Sequence, residues 1–255
     1  MANGLLIAAL LNVLMAAVYA AVGGVVSNRQ VSDQARLAKR AFSTWWWVLA
    51  AVSAGGALAN VASVYDVWTL ASLVVYTQLI LALILGALAA LLYYFVFLRT
   101  GWQGVWKPIA AFYALYYIAI LYYIAVADPV GIERNAAGDT LAYGNDLTTH
   151  PVTTLLGLLL LLPSLIGAIG YFSLFGRIPD RSGRFRVAVI AGAFIFWFGT
   201  SIMASFVFDV TEHPWWRHAS TVVAVAASYA VYIAFRPTRW MRERFGLTGY
   251  DEPPE

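Results

Sequence analysis

Seven long apolar stretches constrain the fold of this chain more than any other feature. A helix needs ~20 apolar residues to cross the hydrocarbon core of a bilayer. Of all residues, 62% are hydrophobic and only 11% are charged. The sequence therefore predicts an all-α, polytopic membrane protein with a single seven-helix domain over 1–236. The predicted spans are 4–26, 41–64, 67–98, 105–127, 152–176, 185–210 and 219–235.

The basic residues lie almost entirely on one side of these spans. Fourteen of the 16 Lys and Arg residues follow the first, third, fifth or seventh span, whereas only Arg134 and Arg217 lie on the other side. Because cytoplasmic loops carry an excess of Lys and Arg, we expect the N-terminus outside and the tail, 237–255, in the cytoplasm with a disordered end. The predicted location is the cytoplasmic membrane if the cell is prokaryotic.

The same charge pattern bears on the partners of the protein. The sequence pI is about 9.1, which could suggest nucleic acid. However, the cations flank apolar spans, so topology and contacts with the lipid bilayer explain them better. Nucleic-acid binding is therefore not expected. We instead expect a membrane or cytoplasmic protein partner at the Arg-rich inner face. The triplet Trp45-Trp46-Trp47, beside Arg40, is interpreted as an interfacial aromatic belt.

The loop 128–151, between the fourth and fifth spans, is long for a helix connection. Two short alternating runs, 130–134 and 140–143, flank a turn that contains Gly138 and Asp139. This arrangement is typical of a β-hairpin. We expect the hairpin to cap the outer mouth of the bundle, the alternative being an ordered connector.

Polar side chains near the middle of the spans are the first candidates for a ligand site. Polar groups in hydrocarbon must face the bundle interior and find partners, and a layer of them at one depth is what a small-molecule cavity needs. Tyrosines of the fourth span add a stripe along one helical face. The alternative is ordinary interhelical hydrogen bonding and packing. The predicted pocket residues are Asn12, Gln78, Tyr113, Tyr116, Tyr123 and Ser164.

Three histidines on the predicted outer face suggest a second kind of site. His150, His213 and His218 could hold Zn²⁺ and leave an open position for water. Asp209 could be a further ligand or could orient one of the histidines. Against this, histidine and tryptophan favour membrane interfaces without any further role, and Pro214 interrupts the helical register between His213 and His218.

Several chemistries are disfavoured by residues that the sequence lacks. The chain has no cysteine and no strong catalytic motif, so an enzyme is not the favoured interpretation. The middle of the spans has no ionisable residue, which argues against an ion-driven transporter. The layout resembles seven-helix rhodopsins and receptors in helix count and orientation. Lys39 and Lys107 both lie at the basic face, so a retinal Schiff base is not expected.

The leading hypothesis is a receptor-like or sensor module. It would bind a small, partly apolar ligand in an outward-facing pocket and act through a partner, because we expect no cytoplasmic output domain. One alternative is a non-catalytic accessory subunit of a larger membrane complex. The other is an intramembrane metal-dependent enzyme that uses the outer-face histidines.

Overall fold

The chain is mostly helical. The structure is a computed structural model that describes residues 2–97, 103–135, 138–143, 162, 169–172, 174–202 and 214–247. Its helices are α1 (Ala2–Ser27), α2 (Arg36–Val64), α3 (Leu70–Phe97), α4 (Gln103–Val126), α5 (Arg181–Ile202), α6 (Pro214–Phe235) and α7 (Arg239–Phe245). Its strands are β1 (Pro129–Asn135) and β2 (Gly138–Tyr143), and a short 3-10 turn, Asp33–Ala35, precedes α2.

Four of these helices are long and apolar enough to cross a membrane. They are α1, α2, α3 and α6, whose most apolar windows have mean hydropathies between 1.5 and 2.4. This finding supports a membrane protein, whereas the count of seven spans stays a prediction. Most of the predicted fifth span, 152–176, lies outside the described residues, as do 203–210 of the sixth and 248–255 of the tail.

Local chemistry explains where the helices begin. The third helix starts at Leu70, later than predicted, because the backbone turns at Asp66, whose φ is 54°. Thr69 then caps the helix, since its Oγ1 accepts a hydrogen bond from the Ser72 amide at 3.2 Å. α6, which corresponds to the predicted seventh span, starts earlier than predicted, at Pro214. Proline suits the first helical position, because the N–H that it lacks would have no intrahelical partner there.

The helices form a bundle with an aromatic core. α1 packs between α2 and α6, α2 packs on α3, α3 on α4, and α5 on α6. Trp45 and Trp46 are only 2% and 3% exposed and belong to this core, whereas Trp47 is 48% exposed. The interpretation of all three as an interfacial belt is therefore wrong for the first two. The indole of Trp45 packs against Phe194, with ring centroids 5.1 Å apart.

The predicted β-hairpin is confirmed. β1 and β2 are antiparallel, with Ile132 opposite Leu141 and Asn135 opposite Gly138. The hairpin lies against α2 and α3. A side chain at Gly138 would begin 3.7 Å from Leu5 of α1. The hairpin therefore covers one end of the bundle, which we call the hairpin end.

The opposite end carries most of the described arginines, and we call it the basic end. Arg29, after α1, and Arg186, in α5, both lie over the ring of Phe235 at the end of α6, with centroid distances of 5.6 and 6.0 Å. Ser27 and Ser43 bring the end of α1 against the first turns of α2. These contacts place the end of α1, the start of α2, the start of α5 and the end of α6 together at the basic end.

Candidate ligand-binding site

Asn60, near the end of α2, is a polar side chain that is almost fully buried. It is 3% exposed, and its Oδ1 accepts a hydrogen bond from Arg217 Nη2 at 3.2 Å. Because a guanidinium only donates, the atom that faces it must be the amide oxygen. The Nδ2 group is then left buried, with no partner in the described part of the chain. A buried polar group without a hydrogen bond costs about 1–3 kcal/mol.

The hairpin covers this amide. The Asp139 amide donates to Ser63 Oγ at 3.1 Å. Gly138 has φ +108°, and a side chain there would begin 3.7 Å from Asn60 Oδ1. The positive φ is the reason why glycine suits this position, since other residues are strained there. An exposed ion pair between Arg134 and Asp66 ties the other strand to the end of α2.

Tyr76 of α3 lies near Arg217, and Trp68, just before α3, packs against Tyr76. The Tyr76 hydroxyl is within electrostatic reach of the guanidinium, and its ring lies 5.1 Å from that of Trp68. His218 follows Arg217 on α6. On the hairpin, partial burial raises the pKa of the Tyr143 hydroxyl, because the charged form loses water.

Four buried polar atoms at this end lack a hydrogen-bond partner among the residues that the structure describes. They are Asn60 Nδ2, Trp68 Nε1, Asp139 Oδ2 and His218 Nδ1. Native proteins leave few such atoms, and each one requires an explanation. A ligand with both an acceptor and a donor would satisfy them. We call this group of residues the hairpin-end cluster: Asn60, Ser63, Trp68, Tyr76, Asp139, Arg217 and His218.

A second feature is a small cavity inside the bundle, between α1, α2, α5 and α6. Its volume is about 10 Å³, which is close to the space that one water molecule needs. The Tyr19 hydroxyl accepts a hydrogen bond from Trp197 Nε1 at 3.0 Å. Ligand pockets usually have volumes of ~300–1,000 Å³, so this cavity is a packing void of the core. Its aromatic lining consists of Tyr19, Trp45, Trp46, Phe194 and Trp197.

The described members of the predicted pocket do not line that cavity. Asn12 lies against α2, where a side chain at Gly56 would begin 3.1 Å from Asn12 Nδ2. Gln78 of α3 is half-buried, and Ser164 lies outside the described residues. The pocket formed by these side chains therefore stays a prediction.

The predicted tyrosine stripe on α4 has two different environments. Tyr113 is buried, and its ring lies 6.1 Å from that of the half-buried Tyr116. Tyr123, by contrast, is 53% exposed. The spacing places the three residues on one helical face, but only the first two lie where another helix covers that face.

Of the four predicted metal ligands, only His218 lies within the described residues. His150, Asp209 and His213 lie outside the described residues, and His218 is half-buried on α6. Within the described part of the chain, no group of three or more His, Asp or Glu side chains is close enough to hold a metal ion. The zinc site therefore stays a prediction.

Apart from His218, no residue of the hairpin-end cluster was predicted from the sequence to belong to a site. One signal for Arg217 was present, since it is one of only two basic residues on the predicted outer side. Its partner Asn60 is 157 positions away, and no spacing rule connects the two.

The comparisons with known proteins identify no relative, because no family model, no curated protein and no solved structure matches the chain.

Proposed function

We propose that this chain is a receptor-like or sensor module of the membrane, with seven spans and an external N-terminus. Its ligand would bind at the hairpin-end cluster and would be small and partly apolar. The observation that carries the proposal is Asn60, whose amide is 97% buried beneath the hairpin with its Nδ2 group unpartnered within the described residues. Such a group is costly in the free protein, and a ligand acceptor would relieve that cost.

The side chains around Asn60 define the chemistry of the ligand. Arg217 and the Asn60 Nδ2 group would donate to an acceptor oxygen, such as that of a carboxylate. Asp139 Oδ2 would accept from a donor, such as an amine. Tyr76 and Trp68 offer flat apolar surface beside these groups. A zwitterion with an apolar body, of the size of an aromatic amino acid, fits this combination.

The hairpin would act as the lid of the site. Its described polar ties include the Asp139–Ser63 hydrogen bond and the exposed Arg134–Asp66 ion pair. A neutral hydrogen bond contributes about 0.5–1.5 kcal/mol, and an exposed ion pair about 0–1 kcal/mol. Ties of this strength permit thermal opening, so a ligand can enter from the water phase and be enclosed afterwards.

Ligand binding would reach the basic end through α6. Arg217 lies in the first turn of this helix, and Phe235 ends it. Their separation of 18 positions corresponds to about 27 Å of helix. Since Arg29 and Arg186 contact the ring of Phe235, a shift of α6 would change the Arg-rich surface that a partner protein meets.

A thermal-shift experiment with three matched probes tests this proposal. Phenylalanine carries both polar groups, 3-phenylpropionate only the carboxylate, and phenethylamine only the amine. We expect phenylalanine to raise the unfolding temperature of the purified protein the most, because it satisfies both sides of the site. The two single-group probes should give smaller shifts.

Two matched variants locate the binding site. Asn60→Leu should abolish the shift, whereas Asn12→Leu should keep it, because Asn12 lies outside the hairpin-end cluster. The reverse result would favour the pocket predicted from the sequence. If none of the probes shifts the wild type, and the protein co-purifies with other subunits in a fixed ratio, the accessory-subunit alternative gains instead.

A further inference from the structure

A groove at the basic end lies between the start of α5 and the short helix α7. Its volume is about 520 Å³, which is within the range of ligand sites. Arg181 and Arg184 of α5 line one side, and Arg244 of α7 lines the other. The stacked rings of Phe185 and Phe245, 5.8 Å apart, hold the two helices together.

The charge of this groove is positive. Glu243 also lines it, but its Oε1 accepts a hydrogen bond from Arg239 Nε at 2.9 Å, so part of its charge is already compensated. Arg184 donates to the carbonyls of Ile178 and Pro179 at 2.7 and 3.1 Å. These bonds fix the guanidinium in place while it keeps its charge.

The helix α7 has the features of a helix that lies on a membrane surface. It begins at Arg239, four residues after the candidate span α6 ends at Phe235. Thr238 caps its start, and Gly246, with φ +61°, ends it. Trp240 is 66% exposed, and an exposed indole beside arginines is typical of the membrane–water interface. With α6 across the membrane, we expect the groove to lie at the level of the lipid headgroups.

We propose that this groove binds the headgroup of an anionic phospholipid. Arg181 and Arg244 would donate to the phosphate oxygens from opposite sides, and Arg184 would complete the positive field. The exposed faces of Trp240 and Phe245 would contact the glycerol and the upper part of the acyl chains. A lipid fits better than a free anion because the charged and aromatic groups occur together beside a candidate membrane span.

Native mass spectrometry of the full-length protein in detergent tests this site. The probes are phosphatidylglycerol, which is anionic, and phosphatidylcholine, which is zwitterionic. We expect the wild type to bind the first more tightly. The double variant Arg181→Gln/Arg244→Gln should lose about 25-fold in affinity for phosphatidylglycerol, at about fivefold for each arginine removed.

The matched control is the double variant Arg36→Gln/Arg40→Gln. It removes the same charge from the same end, but neither residue lines the groove. Its affinity for phosphatidylglycerol should change by less than about twofold. Equal losses in both double variants would overturn the site in favour of diffuse attraction. Equal binding of the two lipids by the wild type would overturn it as well.

Two further measurements exclude trivial explanations. Arg181→Lys/Arg244→Lys keeps the charge but loses the forked geometry, so we expect an affinity between wild type and the glutamine variant. If inorganic phosphate in large excess displaces the lipid completely, the groove is an anion site and not a lipid site. The unfolding temperature of each variant verifies folding, and a loss of affinity without a change in that temperature supports the proposal.

Discussion

Several polar groups at the two ends of the bundle differ in how they are hydrogen-bonded. At the basic end, Lys39 Nζ donates to the carbonyls of Ser27 and Arg29 at 3.0 and 3.1 Å, and Ser27 Oγ donates to the Gly23 carbonyl at 2.7 Å. At the hairpin end, Asn60 Nδ2 and Asp139 Oδ2 are buried without a partner in the described part of the chain. The difference is between polar groups whose hydrogen bonds are made and polar groups that lack a partner among the described residues.

The hydrogen bonds of Lys39 at the basic end are explained by the needs of a helix terminus. The last carbonyls of a helix lack the usual partner within it. Lys39 donates to one of those of α1, that of Ser27, and adds favourable charge at the helix end. At the hairpin end, Arg217 of α6 and Asn60 of α2 are hydrogen-bonded beneath the β-hairpin. That arrangement closes no helix end, and Asn60 Nδ2 has no partner among the residues that the structure describes. The contacts at the first end are accounted for by structure alone, whereas the second end carries the binding site proposed above.

The largest expected effect comes from a substitution in the turn of the β-hairpin, at Gly138. Gly138→Val should destabilise the docked hairpin by about 2–3 kcal/mol, since a β-branched residue is strained at positive φ and would meet Asn60 and Ser63. The control is Gly131→Val, because a side chain there meets nothing within 4 Å. Hydrogen exchange of β2 measures the effect. Unchanged protection in the Gly138 variant would refute the close contact between hairpin and bundle.

The next prediction sets the two ends directly against each other. Ser43→Val should lower the free energy of unfolding by about 1–3 kcal/mol, because Ser43 is buried and bonded to Ser27 and Gly23. The double variant Asn60→Leu/Arg217→Leu removes both partners of a bond, so without ligand it should change stability by less than about 1 kcal/mol. Unfolding in detergent compares the two. If the double variant were the less stable, the hairpin end would be structural too.

Some of this architecture follows from the sequence for simple physical reasons. Apolar length predicts the helices, and alternation around Gly138 predicts the hairpin, because both signals are local. The environment of Trp45 was predicted wrongly because α2 is apolar around most of its circumference, so its pattern does not reveal which face is inside. The bond between Asn60 and Arg217 depends on how α2 and α6 pack, and no local pattern encodes that packing.

A smaller effect is expected at the end of α1. Lys39→Met keeps the length and the apolar stem but removes the ammonium that donates to Ser27 and Arg29. We expect a loss of about 1 kcal/mol, typical for a helix-terminal charge with hydrogen bonds. The unfolding temperature should fall, while the affinity for any hairpin-end ligand should stay the same. A loss of ligand affinity would show that the two ends are coupled more strongly than the comparison implies.

The smallest effect concerns the ion pair that ties the hairpin to α2. Arg134→Gln should cost less than about 0.5 kcal/mol, because both partners are more than half exposed and water screens their attraction. The same variant should nevertheless speed the opening of the hairpin, which hydrogen exchange of β1 measures at low and high salt. Wild type in high salt should resemble the variant, since salt screens exposed charges. If salt had no effect on the wild type, the Arg134–Asp66 pair would not be a tie of the lid, and docking would depend on the Asp139–Ser63 bond and on packing around Gly138.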